Sequence, residues 1–201
     1  ISGAGTVVVS GDLTNDLGVD LSGVTATGGV TATETAGGTF TAGSDLGAAT
    51  VTVNAAGKTV DLQAAGVGGV DASTFIVNAG TLVVTHAQMD AISTTGAITG
   101  SAGNVTVIAG SDTATGVGAL LDDGNTQSST ALVKVEMSGT GTLTFDLPSD
   151  DNDTLVLEAG SVIKFGAGGG AGGTVVVDHG EVDARNVDAA NWTNVGTVRV
   201  N

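Results

Sequence analysis

Apolar and polar residues alternate along this chain in one recurring phrase, a glycine followed by threonine and valine in turn. It reads GAGTVVVS at Gly3, GGTFTAG at Gly37, AATVTVN at Ala48, AGTLVVT at Ala79, AGNVTVI at Ala102, GTLTFD at Gly141, GGTVVVD at Gly172 and GTVRVN at Gly196. A period of two places alternate side chains on opposite faces of a strand, and β-branched residues suit that pleated surface. Strand starts are predicted near Thr6, Val30, Thr39, Thr50, Thr59, Thr81, Val105, Leu132, Thr142, Thr154, Val162, Thr174, Val182 and Thr197. Many intervals are roughly 8 to 12 residues, the spacing of strands joined by short turns.

Many similar strands in one chain stack on one another, so the pattern predicts a scaffold. The expected fold is all-β, a parallel β-solenoid with short helical excursions. Two strands per coil predict a coil of about 20 residues, and about ten coils predict a rod on the order of 50 Å. Tandem antiparallel β-sandwiches carry the same strand spacing and are the alternative. A second phrase supports a common register: Val19-Asp20-Leu21-Ser22, Val60-Asp61-Leu62-Gln63, Val70-Asp71-Ala72-Ser73 and Val182-Asp183-Ala184-Arg185. The organisation expected is a single elongated domain over 1–201, with an excursion or internal boundary at 111–130.

Three segments break the alternation. Thr85-His86-Ala87-Gln88 spells a capping box, with Met89 and Ile92 following at helical spacing, and predicts a helix of about two turns in which His86 is exposed. Gly116 to Leu121 and Asp188 to Trp192 are predicted as single helical turns. The run from Gly166 to Gly173 reads as a turn; it lacks the Lys-Ser/Thr of a phosphate-binding loop.

Composition narrows the core. Aromatic residues make up 2% of the chain and Gly numbers 34, which points to thin layers of Val and Ala. Five basic against 21 acidic residues give a net charge of −16, a field that repels nucleic acid and anionic membranes and favours divalent cations as counter-ions. Cys is absent, which excludes disulfides and thiolate metal sites. No apolar run is long enough for a membrane-spanning helix. The start at Ile1, inside a strand phrase, is expected of a processed product or of a piece of a longer chain.

Calcium takes clustered oxygen ligands, and the acidic turns supply them. The leading candidate is Asp150, Asp151, Asn152 and Asp153, followed by Asp122 and Asp123, then Asp12 with Asn15 and Asp16. None has EF-hand spacing, and a solvated acidic turn explains each as simply. Catalysis is not expected: Asp178-His179-Gly180-Glu181 with Asp183 is the nearest thing to a constellation, and a surface turn accounts for it.

The phrases ISGAGTVVVSGDLTNDLGVDLSGVTATGGVTAT and TLVVTHAQMDAISTTGAITGSAGNVTVIAG resemble repeat regions of large bacterial surface-layer proteins and type I-secreted adhesins. The resemblance implies an exported structural or adhesive protein at the bacterial cell surface that uses calcium. The calcium-binding nonapeptide of the RTX group is not met, because Gly169 to Val177 carries Thr174 where that repeat has Asp.

Strand phrases close to both termini predict end-to-end contact, either with the rest of a longer chain or with copies of the same chain, through Thr6 and Val8 at one end and Trp192, Val198 and Val200 at the other. The expected function is thus a structural, self-associating extracellular protein: a surface-layer or filament subunit, or an adhesin stalk segment. A glycan- or ice-binding module is the alternative, resting on the T-x-T pairs Thr39/Thr41, Thr50/Thr52 and Thr142/Thr144. Their irregular spacing argues against a flat array. A carbohydrate-active β-helix enzyme is the least favoured reading.

Overall fold

The computed structural model describes residues 2–10, 12–14, 19–108, 128–146, 154–157, 161–166, 172–177, 190–193 and 195–200. Among them every strand pairing is parallel, and thirteen strands join one sheet that winds through the coils. A parallel neighbour requires the chain to complete a turn before it returns, so the antiparallel sandwich is excluded and the fold is a parallel β-solenoid.

Two faces carry the coils. The first holds β2 (Val7–Ser10), β4 (Val30–Glu34), the leading half of β6 (Thr50–Asp61), the leading half of β7 (Thr74–Thr85), β8 (Ala97–Gly100), β11 (Lys134–Met137), β14 (Ser161–Phe165) and β16 (Ala190–Thr193). The second holds β5 (Gly38–Thr39), the trailing halves of β6 and β7, β9 (Asn104–Ile108), β12 (Thr142–Asp146), β15 (Gly173–Val177) and β17 (Val195–Val200). On the third side, β1 (Ser2–Gly3) pairs with β3 (Thr25–Ala26), and β10 (Ser128–Ala131) with β13 (Thr154–Leu157). Gly57 and Gly80, both at positive φ, lie where β6 and β7 pass from the first face to the second.

Equivalent residues of the coils carried by β7, β8 and β9 lie 23 apart, as where Phe75 pairs with Ile98, Leu82 with Val105, and Ser101 bonds to Asn78. The coil is therefore longer than the expected 20 residues, because each contains a third side as well as two strands. Across the segment 109–127, which lies outside the described residues with the Gly116–Leu121 turn, the separation grows to 38. Pairing continues regardless: Val135 meets Ile98 and Leu143 meets Val105.

The core is built of inward columns, one residue per rung. Ala32, Val51, Phe75, Ile98, Val135 and Ile163 form one; Val60, Leu82, Val105, Leu143 and Val175 face them from the second sheet face. All are buried. The four Phe residues of this aromatic-poor chain are all inside, each burial being worth about 1.5–3 kcal/mol. Space for them comes from small neighbours. Gly100 precedes Met137 and Phe165 in its column, at φ 156 and tight against the Val77 carbonyl, and a Cβ at Gly173 would enter the Phe165 ring.

The Asp-containing phrase makes corners. Asp12, Asp20, Asp45 and Asp61 each accept a hydrogen bond through Oδ1 from the backbone N–H two residues on, at 2.9–3.0 Å. Each is followed by a buried leucine: Leu13, Leu21, Leu46 and Leu62. The aspartate closes the turn outside while the leucine fills the corner inside.

α1 (His86–Thr95) replaces a corner, with its capping box formed between Thr85 and Gln88 as expected. Two expectations are corrected. His86 is 7% exposed, because the first helical turn packs against the solenoid rather than projecting from it. Ala190–Thr193 is strand, not a helical turn, since pairing with Ser161–Lys164 overrides the local sequence.

Candidate functional site

Outward positions on the two faces fall into columns as strict as the inward ones. On the first face Thr31, Thr50 and Thr74 stand in one column, followed by Ala97; beside it stand Thr33, Thr52, Ile76 and Thr99. On the second face Thr59, Thr81, Asn104, Thr142, Thr174 and Thr197 stand in one column, all half-buried or exposed. Neighbouring rungs are about 4.8 Å apart and alternate residues of one strand about 7 Å. The register aligns individual threonines of successive coils and does not stack the three T-x-T pairs on one another. Thr50/Thr52 and Thr142/Thr144 lie on different faces.

Charge interrupts the first face late, where Lys134, Glu136 and Lys164 replace threonine and Lys164 Nζ reaches Glu136 Oε1 at 3.3 Å. This exposed pair contributes little to stability.

The second candidate surface is the pair of open ends. β2 pairs with β4 on one side, and among the described residues nothing pairs with its other side. Val7 N–H donates to the Gly29 carbonyl, so the alternation of a strand aims the Val8 N–H away from the sheet. Val7 and Val9 pack toward the core, whereas the Val8 side chain is 73% exposed. Thr6, just before β2, is exposed and donates its hydroxyl hydrogen bond to the Gly28 carbonyl at 3.1 Å. At the opposite end β16 pairs with β14 and β17 with β15. Trp192 is in register with buried Ile163, Val198 with buried Val175, and Val200 with Val177. The five expected assembly residues therefore sit on or beside the last rungs at either end.

Asp150, Asp151, Asn152 and Asp153, Asp122 and Asp123, and the segment from Asp178 to Asp183 lie outside the described residues. Of the third acidic turn Asp12 is described, and it is a turn former: Oδ1 accepts from Thr14 N at 2.9 Å and Thr14 Oγ1 at 2.7 Å. These bonds, the hydroxyl's first, hold its carboxyl below the ordinary aspartate value; Ser22 does the same for Asp20. Among the described residues no group of three His, Asp or Glu side chains is placed to hold a metal ion, and no helix is long and apolar enough to cross a membrane.

Sequence reasoning missed Glu34, an inward position of β4 that is fully buried. Its signal was present: the alternation VTATE puts Glu where Val30 and Ala32 predict an apolar residue. Comparison with family models, curated proteins and solved structures gave no match.

Proposed function

We propose that the chain is a structural, self-associating extracellular protein whose copies join head to tail along the solenoid axis. The observation that carries this reading is that, among the described residues, β2 at one end of the parallel sheet and β16 and β17 at the other each pair on one side only. A second copy stacked along the axis sets its β2 beside β16 of the first. The pairing is parallel like every other, Val8 follows the column that ends in Asn191, and Val9 follows the column that ends in Trp192. An unpaired edge is a template for such addition, and repeated addition of one heterologous contact produces a filament or a lattice.

The bacterial cell surface as its location, and calcium as its ligand in the turns at 122–123 and 150–153, come from the acidic composition and from the resemblance to surface-layer and adhesin repeats. Calcium there would neutralise charge between copies of a chain carrying −16. The role is non-catalytic.

A second reading, a glycan- or ice-binding module, is favoured by the threonine columns, which align Thr31, Thr50 and Thr74 on one face and Thr142, Thr174 and Thr197 on the other.

Negative-stain electron microscopy with light scattering, in calcium and then in chelator, tests both. Ordered filaments or sheets are expected, and their loss in chelator assigns the metal to the contacts. A chain that stays a monodisperse monomer in both conditions overturns self-association, and saturable binding of that monomer to a glycan array or to ice establishes the second reading.

A further inference from the structure

Glu34 carries the one carboxylate that the described residues enclose completely. It stands at the head of the inward column that continues through Val53, Val77 and Gly100. A buried carboxylate needs donors, and three backbone amides supply them. Ala36 N–H and Gly37 N–H donate to Oε1 at 2.6 and 3.0 Å, and Leu13 N–H donates to Oε2 at 2.7 Å. The first two shape the turn after β4. The third reaches back 21 residues into the first coil.

That reach matters because Asp12–Thr14 is held in an unusual way. Elsewhere successive coils are joined mainly by backbone ladders, with single side-chain acceptors beside them, such as Asp90 for the Leu132 amide at 3.1 Å. Here the Leu13 amide goes to Glu34 and the Thr14 amide to Asp12. The Thr14 hydroxyl is shared between Asp12 Oδ1 and the Gly37 carbonyl, 3.0 Å away. Leu13 is buried, but the residues on either side of it are exposed or half-exposed. The segment covers β5: Gly38, at φ 140, is so close to Thr14 that a Cβ there would overlap its side chain. β5 itself is two residues long and, among the described residues, pairs with β6 alone.

We infer that Asp12–Thr14 is a detachable strap over the first edge of the second face, with the Glu34 carboxylate as its latch. With the latch closed, the Thr14 side chain sits against Gly38 and blocks the start of β5 from an incoming strand, while Leu13 anchors the strap in the core. With it open, the Gly37 carbonyl and Gly38 lose Thr14 as their neighbour while the coils from Thr50 onward stay intact. The device stands on the bonds of Glu34 whether or not the chain associates.

Amide hydrogen exchange read by mass spectrometry tests it on the full chain, comparing wild type with Glu34→Gln and Glu34→Val. Valine continues the apolar column that Val53 begins, so the core stays filled while the acceptors disappear. The expected result for Glu34→Val is about tenfold or faster exchange in the peptides spanning Leu13 and Ala36–Thr39, with Val51–Val53 and Leu82–Val84 unchanged, and a smaller acceleration for Glu34→Gln. Exchange at Leu13 unchanged in both variants overturns the latch. Loss of protection in step across strap and central strands also overturns it, because it makes Glu34 a part of the global fold. Should Glu34→Val fail to fold, Thr14→Ala frees the strap from its exposed end: faster exchange at Leu13 alone supports the strap, and unchanged exchange overturns it.

Discussion

The first coil and the coils from Thr50 to Ile108 are made from the same phrases, yet they are held together differently. In the centre β6 and β7 run for 12 residues each, cover both faces and pair through eight registered positions. Their inward residues, Val51, Val53, Val60, Phe75, Val77, Leu82 and Val84, are wholly buried. The first coil offers β1 with two residues and β2 with four, partly buried Val7 and Val9, and a strap held by side-chain carboxylates. The difference teaches that the phrase makes a strong rung when another rung lies on each side. Among the described residues the first coil meets a rung on one side only, and there carboxylate and turn hydrogen bonds add to the stacking.

The comparison is broken most severely at Phe75. Phe75→Ala leaves a hole between Val51 and Ile98 in the densest part of the column and is expected to cost about 3–5 kcal/mol. Urea unfolding should show a lower midpoint for the whole chain, and an unchanged midpoint would deny that the central columns carry the fold.

Gln88 ranks next. It is 1% exposed, its Nε2 donates to the carbonyls of Leu62 and Ala65 at 2.6 and 2.8 Å, and its Oε1 accepts from Thr85 N–H. Gln88→Leu fills the same space but takes this partner from the Ala65 carbonyl and the Thr85 amide, while the Leu62 carbonyl keeps the Ala65 N–H; the expected loss is about 1–3 kcal/mol by the same unfolding measurement.

Val8→Pro sharpens the contrast from the other side. The Val8 N–H faces the open edge, so proline there removes no internal bond and should change stability by less than about 0.5 kcal/mol. Association measured by light scattering should nevertheless fall, and association equal to wild type would move the contact away from β2.

The smallest expected effect is one of pH. The Asp12 and Asp20 carboxyls are held below their ordinary value by hydrogen bonds from Thr14 and Ser22. A lowered value in the folded state means that these turns stabilise above the unfolded aspartate value, near 3.9, and lose that contribution as pH falls through the folded value. Acid should therefore shift the Thr14 and Ser22 amide resonances before those of β6 and β7. Asp20→Asn should abolish the Ser22 response alone.

Much of the fold was legible because its signals are local. The alternation around Thr50, Thr81, Thr142 and Thr174 marks strands, the Val-Asp-Leu phrase marks corners, and Thr85 with Gln88 marks a helix start. Thr74–Val77 and Ala97–Gly100 were less legible: TFIV follows Ala-Ser with no opening glycine, and AITG follows Gly96 but has Ala97 where the phrase mostly has threonine. Ala190–Thr193 was misread as a turn of helix because its strand state comes from Ser161–Lys164, residues far away in the chain. The candidate surfaces divide in the same way: Thr6 and Val8 follow from a strand phrase near one end, whereas Glu34 and its hold on Leu13 depend on a residue 21 positions back.

By itself the sequence determined the period-two strands, the Asp corners, the capping box and a charge that favours cations over nucleic acid, because each depends on neighbours within a few residues or on composition. The tertiary structure alone decided the parallel direction, the coil of 23 residues, the columns that align unevenly spaced threonines, and the burial of His86 and Glu34. Those depend on which rung lies against which, and rung pairing is set by closing a whole turn of chain and packing its inward side chains against the next.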